Sequence, residues 1–393
     1  RVTEIIEPKD KEPGAIKIGE EITEVLEYNP ANIFVRQIVR PKYAKSNGQG
    51  IVIANLPSLP LPKANAGAGM LAYICVSKFI DHLPFYRQIQ ILKRQDLHIS
   101  ASTMGDWFNN TCKLLRPLFE TLEAQVLDNA DYLQADESPI KVQDSHKKKA
   151  LHQGYMWLFR NPKNKLVLFK YDQGRSAKLP EQVLSNFKGT LQTDGYKVYQ
   201  ALKIKGEITL LGCMAHARRY FEKALDNDKN RASYVLKQIQ LLYQMEQKAK
   251  DRKIDIHHLK RYRQLYAVPI LNSLKTWMDK NSFEVLPKSA IGKAIAYTLN
   301  IYDNLARYVL DGYYEIDNNN IENAVRPLAL GRKNYLFAGS HDAAQNIAMM
   351  YSFFASCKAN GVNPFNWLEK VLATIQEHKA NKLEELLPIN WKK

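Results

Sequence analysis

The amino-acid sequence predicts a mixed α/β protein in which a core of short strands is preceded by helices and followed by a long helical block. Three observations lead there. Five short segments rich in β-formers or aromatics fall between Tyr132 and Leu211. From Ala215 to about Tyr314 the apolar residues switch to a helical period, through Tyr220, Leu225, Val235, Ile239 and Leu242 to Ile291, Ile295, Leu299 and Leu305. The 393 residues, 45% hydrophobic and 24% charged, are enough for two or three domains at ~150 residues each and for a sizeable core.

Taken in order, residues 1 to about 50 read as a small β-rich unit. Glu24–Tyr28 alternates, Asn29-Pro30 turns, and Ile33–Val39 follows as a second strand. A Pro/Gly/Ala-rich linker runs from Leu56 to Gly69, after which Leu71, Ile74, Cys75 and Phe79 take up helical spacing. Between Leu83 and Asn109 lies a helix-turn-helix candidate. Ile89, Ile91 and Leu92 mark its first helix and Leu97 and Ile99 the turn, while Ser100 caps a second helix carrying Met104, Trp107 and Phe108. That second helix either touches DNA or simply packs. The strands are Tyr132–Ala135, Tyr155–Arg160, Leu166–Tyr171, Gly189–Thr193 and Ile208–Leu211, with one clear helix, Leu179–Phe187, among them.

Fifty-six Lys and Arg against forty Asp and Glu leave a formal charge of +16, which points to a polyanionic partner. Nucleic acid is favoured over an anionic membrane: the most apolar stretch, Ile347–Cys357, is eleven residues, short of the ~20 a membrane span needs, and reads as a buried helix. The four cysteines, Cys75, Cys112, Cys213 and Cys357, form no C-x-x-C pair, so a disulfide framework is not expected and a reducing cytosol is the natural setting. No signal peptide opens the chain, and its start at Arg1 inside a charged segment leads us to expect further residues upstream. Collagen, coiled coil, long disorder and a disulfide miniprotein are excluded by the same composition.

Two of the strands end in matching tetrapeptides, Leu133-Gln134-Ala135-Asp136 and Leu191-Gln192-Thr193-Asp194. With a period of two, Gln and Asp project from one face. If the strands are parallel neighbours ~4.8 Å apart, both carboxylates reach one sheet edge, where they repel unless a proton or hard cation sits between them. Mg²⁺ suits such an oxygen-rich site. Ordinary turns explain the same residues: Asp194-Gly195 is a turn signal, and Asp136 could be a turn acid ahead of Ser138-Pro139. A third acid, Glu322, borders an apolar helical stripe of Ile321, Ala324, Val325 and Leu328. Arg326, one turn on, is a partner for that carboxylate or for a phosphate, and Pro327 should kink or shorten the helix. Alone, Asn319-x-x-Glu322 reads as a capping box.

In this order the chain carries Ala135-Asp136-Glu137-Ser138-Pro139, Gln192-Thr193-Asp194-Gly195-Tyr196, Gly212-Cys213-Met214-Ala215-His216-Ala217-Arg218-Arg219-Tyr220-Phe221, Ile316–Glu322 with Arg326-Pro327, and Leu330–Ser340. Upstream stand Asp81–Gln88 and Ser102-Thr103 ahead of Trp107; downstream stands Cys357–Pro364. Together they closely resemble the DDE transposases of the insertion sequence 66 family, over nearly everything from about residue 56 to 375. The resemblance implies an RNase H-like mixed sheet with a large helical insertion. It divides the chain into a β-rich unit (1–55), a helical DNA-binding region (56–130), a catalytic domain (131–345, insertion about 217–312) and a C-terminal helical segment (346–393).

The resemblance further implies Asp136, Asp194 and Glu322 as catalytic, metal-binding residues holding two Mg²⁺ or Mn²⁺ ions. The chemistry implied is cleavage at transposon ends and 3′-OH transfer into target DNA. DNA would be the partner, met as a homo-oligomer, with accessory proteins, and with no membrane. The setting would be bacterial, cytoplasmic and nucleoid-associated. Arg326, Arg332 and Lys333, with Lys147, Lys148 and Lys149, are candidate DNA contacts. Family members usually carry a C-x-x-C after a stretch like Pro41-Lys42-Tyr43; here Lys45-Ser46-Asn47-Gly48 follows, so zinc is not expected in that unit. Cys213-x-x-His216 has metal-ligand spacing but half the ligands, and is expected to support groups near the fifth strand instead. Two other readings stay open: a DNA-binding protein that has lost transposase activity, and an RNase H-like nuclease without strand transfer.

Overall fold

The computed structural model describes residues 33–44, 51–55, 57–61, 64–144, 151–204 and 207–391. The chain divides into two compact units, Arg1–Pro57 and Ser58–Lys393. In the first, β1 (Lys42–Ala44) pairs antiparallel with β2 (Ile51–Ile53), and Arg40 Nη1 donates to the Ala54 carbonyl at 3.1 Å. Asn47-Gly48, a dipeptide that favours tight hairpins, lies between them in sequence, outside the described residues. The expected strand at Ile33–Val39 does not form: among the described residues no segment pairs with that run to supply ladder hydrogen bonds. Its proposed partner, Glu24–Tyr28, lies outside the described residues.

The second unit begins with α1 (Ala68–Phe79), α2 (Phe85–Lys93) and the long α3 (Ala101–Leu127). Ser100 caps α3 as its sequence suggests, accepting from the Thr103 N–H at 3.0 Å. Met104, Trp107 and Phe108 are buried, so this face of the helix-turn-helix candidate packs into the core.

The sheet follows: β3 (Tyr132–Gln143), β4 (Leu151–Asn161), β5 (Leu166–Asp172), α4 (Lys178–Val183), β6 (Gly189–Gln192), α5 (Lys197–Ile204) and β7 (Ile208–Leu211). Its order is β5-β4-β3-β6-β7, with β3, β4 and β5 antiparallel and β3, β6 and β7 parallel. All five expected strands are present. Helix α5 was not anticipated, yet the parallel β6–β7 pair demands a crossover of this kind.

Beyond β7 come α6 (Met214–Glu222), α7 (Lys229–Asp251), α8 (Ile256–Ser282), α9 (Ala290–Asn300) and α10 (Tyr302–Ala306). Asp228, Asp255 and Ser289 cap α7, α8 and α9 through their side chains. This block has its own apolar core, joined to the sheet by Tyr132 and Leu211. The Arg307 guanidinium on the Leu210 carbonyl and the Gly212 N–H on the Asn304 carbonyl (3.0 Å) fasten it to β7.

The chain closes with α11 (Asn319–Tyr335), α12 (His341–Ala359) and α13 (Pro364–Thr374). Helix α11 runs through Pro327 without being shortened there. One apolar core joins α1, α3, the sheet, α12 and α13. Helix α12 also covers the open edge of the sheet. The Ser352 hydroxyl accepts from the Phe169 N–H at 2.7 Å and the Ser356 hydroxyl from the Val167 N–H at 2.9 Å, so β5 is partnered on both sides. These two serines are the polar interruptions of the chain's most apolar run, and they give that helix its place. Among the described residues no helix is long and apolar enough to cross a membrane.

Ser352→Ala leaves the buried Phe169 N–H unpaired and should cost about 1–3 kcal/mol of unfolding free energy in urea denaturation. Ser352→Thr, which keeps the hydroxyl, should recover part of that loss.

Candidate active site

The site grows from the register of β3 on β6. Tyr132 lies opposite Thr190, Leu133 opposite Leu191 and Gln134 opposite Gln192, so the two matching tetrapeptides run side by side. Leu133, Ala135 and Leu191 enter the main core. Gln134 and Gln192 share the other face, where Gln134 Nε2 donates to Gln192 Oε1 at 2.8 Å. The Tyr132 hydroxyl donates to the same oxygen at 2.6 Å, and Gln192 Nε2 donates to the Glu315 carbonyl at 2.7 Å. Arg160 completes this buried polar layer, reaching Gln134 Oε1 at 2.7 Å and Glu315 Oε1 at 3.1 Å. A fully partnered network of this kind holds its members in one arrangement.

Two residues further along each strand stand Asp136 and Asp194. Strand β6 ends at Gln192 while β3 continues, so Asp136 sits where the parallel ladder stops. The sequence allowed either a turn or a carboxylate site at Asp194, and the turn is formed. Asp194 Oδ1 accepts from the Tyr196 N–H at 2.8 Å, and Gly195 takes φ +87°, the left-handed backbone that glycine tolerates. The Asp194 carbonyl accepts from the Tyr297 hydroxyl at 2.7 Å, so helix α9 holds this turn.

Glu322 arrives from α11. Asn318 Nδ2 donates to the Ala135 carbonyl at 3.0 Å and the Asn318 N–H to Cys213 Sγ at 3.2 Å, fixing the start of α11 beside β3 and α6. The capping box is not formed. Asp317 Oδ1 takes the Asn319 N–H at 2.9 Å, and the Glu322 carboxylate faces Arg219 and His216 instead.

The three acids are separated by 58 and 128 positions in the sequence, and Asp194 and Glu322 both act electrostatically on Asp136. The half-buried Asp136 carboxyl is pushed up to about 8, first by loss of hydration and then by the charges of Glu137, Asp194 and Glu322. Glu137 is raised by burial too, although Arg175 Nε (3.1 Å) and the Tyr199 hydroxyl (3.1 Å) support its carboxylate. Glu322 Oε1 is buried without a hydrogen-bond partner. The unsatisfied Glu322 Oε1 is an oxygen donor that suits a hard divalent cation, whereas among the described residues the close group of potential ligands is Glu322 with Cys213 and His216, without Asp136 or Asp194.

On α6, Cys213 and His216 face Glu322, with their ligand atoms and the Glu322 carboxylate within 4.8 Å of one another. Burial lowers the His216 pKa, favouring the neutral ring, and Arg219 Nη1 lies 3.1 Å from His216 Nε2. A guanidinium can only donate, so Nε2 accepts and the ring proton lies on Nδ1, 3.7 Å from Glu322 Oε1. Neither ring nitrogen then has a free lone pair for a metal, and burial pushes the Cys213 thiol up to about 12. In this arrangement Cys213 and His216 support Glu322.

The candidate DNA contacts divide. Arg326 is exposed and does not pair with Glu322; Arg219, which sequence reading passed over, takes that carboxylate. Arg332 Nη1 is spent on the Ser138 hydroxyl (2.9 Å) and the Pro139 carbonyl, tying α11 to β3. Lys333 is exposed. Lys147, Lys148 and Lys149 lie outside the described residues. In the basic run Lys248–Arg263, Arg263 is buried in a bidentate pair with Glu246 and serves the insertion, whereas Lys248, Lys250, Arg252 and Lys253 are exposed.

The raised Asp136 pKa gives a sign for stability. Between about 4 and 8 the folded chain holds a proton at Asp136 that the unfolded chain has released, so this group's contribution falls as pH rises through that window. In EDTA, Asp136→Asn should therefore melt a few degrees above the wild type at pH 8, with the gap closing near pH 5, as read by thermal denaturation.

The family model described as Transposase IS66 family matches residues 63–346, and the IS66 C-terminal element matches residues 352–389. Relatives in Sinorhizobium fredii include uncharacterized protein y4jD, 30% identical over 99% of this chain and 80% of that protein. Uncharacterized protein y4qI is 31% identical over the whole of this chain and 76% of its own length. Uncharacterized protein y4hP is 29% identical over 96% and 72%. With the five-stranded sheet and the helical block after it inside the first of those matches, this chain belongs to the IS66 transposase family.

Proposed function

We propose that this protein is a DNA transposase that cuts phosphodiester bonds at the ends of its element and joins the freed 3′-OH to target DNA. We read the β5-β4-β3-β6-β7 sheet as an RNase H-like core, with Asp136, Asp194 and Glu322 as its metal-binding triad. The observation that carries the reading is the placement of Asp136 and Asp194 two residues beyond the last β3–β6 pair, with Asp194 and Glu322 near enough to act on the Asp136 carboxyl.

Divalent ions held by those carboxylates would lower the pKa of an attacking water and stabilise the departing 3′-oxygen. The protein's own part is placement. The Gln134–Gln192 bond fixes the spacing of the two strands, Tyr297 and Gly195 hold the turn carrying Asp194, and Asn318 docks the helix carrying Glu322. Cleavage and strand transfer are both in-line displacements at phosphorus, differing in whether water or a 3′-OH attacks, so one site serves both. The +16 charge provides a general attraction for DNA, with binding that weakens as salt rises.

The test is cleavage of a labelled duplex carrying the DNA that flanks the gene. We expect nicking in Mg²⁺ or Mn²⁺, none in EDTA, and a fall of at least about a thousandfold in Asp136→Ala, Asp194→Ala and Glu322→Gln. Undiminished cutting by Asp136→Ala contradicts the assignment. Nicks without joined products indicate a nuclease, and ion-independent binding without nicks indicates a DNA-binding protein.

A further inference from the structure

We infer that Arg219 receives the scissile phosphate, held in readiness by Glu322 and His216; this rests on the transposase reading above. Arg219 lies one helical turn beyond His216 on α6, which puts both side chains on the face turned toward α11. Its guanidinium is gripped at two points, Nη2 by Glu322 Oε2 and Nη1 by His216 Nε2. A guanidinium carries five N–H donors in one plane, so donors remain after both grips. The side chain is 45% exposed, leaving it open to a ligand from solution. A cation fixed in orientation, still holding free donors and standing against a catalytic carboxylate, is a preorganised receptor for a phosphodiester oxygen.

The neighbouring cations do not share these features. Arg332 has turned its guanidinium to Ser138 and Pro139, ten positions along α11 from Glu322 and so about 15 Å away along that helix. Arg218, adjacent to Arg219, pairs with Glu222 on its own helix at 3.0 Å. Arg326 and Lys333 are exposed and hold no ion pair among the described residues. His216 is on this account a positioning residue: its Nε2 fixes Arg219, and its Nδ1 faces Glu322.

The experiment compares two duplexes, one natural and one with an uncharged methylphosphonate at the mapped cleavage position. Wild-type protein that nicks the natural duplex and joins the freed 3′ ends to a second duplex establishes the underlying reading; failure to nick in Mg²⁺ or Mn²⁺ overturns that reading and this inference together. Given nicking, Arg219→Gln should lower kcat/KM by roughly 10²–10³-fold, with Arg219→Lys in between. In an Asp136→Asn background that binds without cutting, Arg219→Gln should weaken the natural duplex about tenfold and leave the methylphosphonate duplex unchanged. Mn²⁺ titration should show Arg219→Gln binding the ion at least as well as wild type, because a competing cation has left Glu322, whereas Glu322→Gln binds it worse. His216→Gln, which keeps an acceptor for Arg219, should lose less activity than His216→Ala. Equal weakening of both duplexes, or loss of Mn²⁺ binding in Arg219→Gln, would mean that Arg219 merely braces Glu322 and would overturn the inference.

Discussion

The register of two parallel strands governs the rest of this molecule. Gln134 opposite Gln192, joined at 2.8 Å, is the last pair of that ladder and leaves Asp136 and Asp194 each two residues beyond it. Side chains alternate with a period of two, so a slip of one residue would send an aspartate to the opposite face, into the apolar core around Leu133 and Leu191. The buried layer of Tyr132, Gln134, Gln192, Arg160 and Glu315 opposes such a slip, because any other register leaves polar groups without partners away from water.

Placed together, the acids create an electrostatic problem that the fold leaves in being. Asp136 loses hydration and stands among Glu137, Asp194 and Glu322, while the nearby cations are committed unevenly: Arg175 to Glu137 and Arg219 to Glu322. Perturbed carboxylates in a shared site mark function more often than stability, since replacing them relieves repulsion. The helical block after β7 enters as part of the same solution. Through Tyr297 it holds the Asp194 turn, and through α6 it supplies the groups that face Glu322. The block between the second and third acids is thereby coupled to the site it separates in sequence.

How much of this was legible in the residues depended on whether the signal was local. The tetrapeptides ending in Asp136 and Asp194 announced themselves by matching, and period-two geometry did the rest. Ser352 and Ser356 stood out inside an apolar run, although their task of closing the β5 edge belongs to the fold. Glu322 was ambiguous, since Asn319-x-x-Glu322 satisfies the spacing of a capping box; the contest was settled by Asp317, which takes the Asn319 N–H and leaves Glu322 to α6. Helix α5 escaped notice because its eight residues make barely two turns, too short a stretch to stand out, and only the parallel direction of β7 requires it. Arg219 was hidden beside Arg218. A three-residue spacing from Cys213 through His216 to Arg219 was the available clue, because it lines one helical face.

The central claim is that three distant carboxylates form one ion-binding centre. Anomalous scattering from crystals soaked in Mn²⁺ tests it most directly. The account predicts manganese peaks bounded by Asp136, Asp194 and Glu322, vanishing in Asp194→Ala crystals. Manganese bound only elsewhere, or peaks that survive that substitution unchanged, would contradict it.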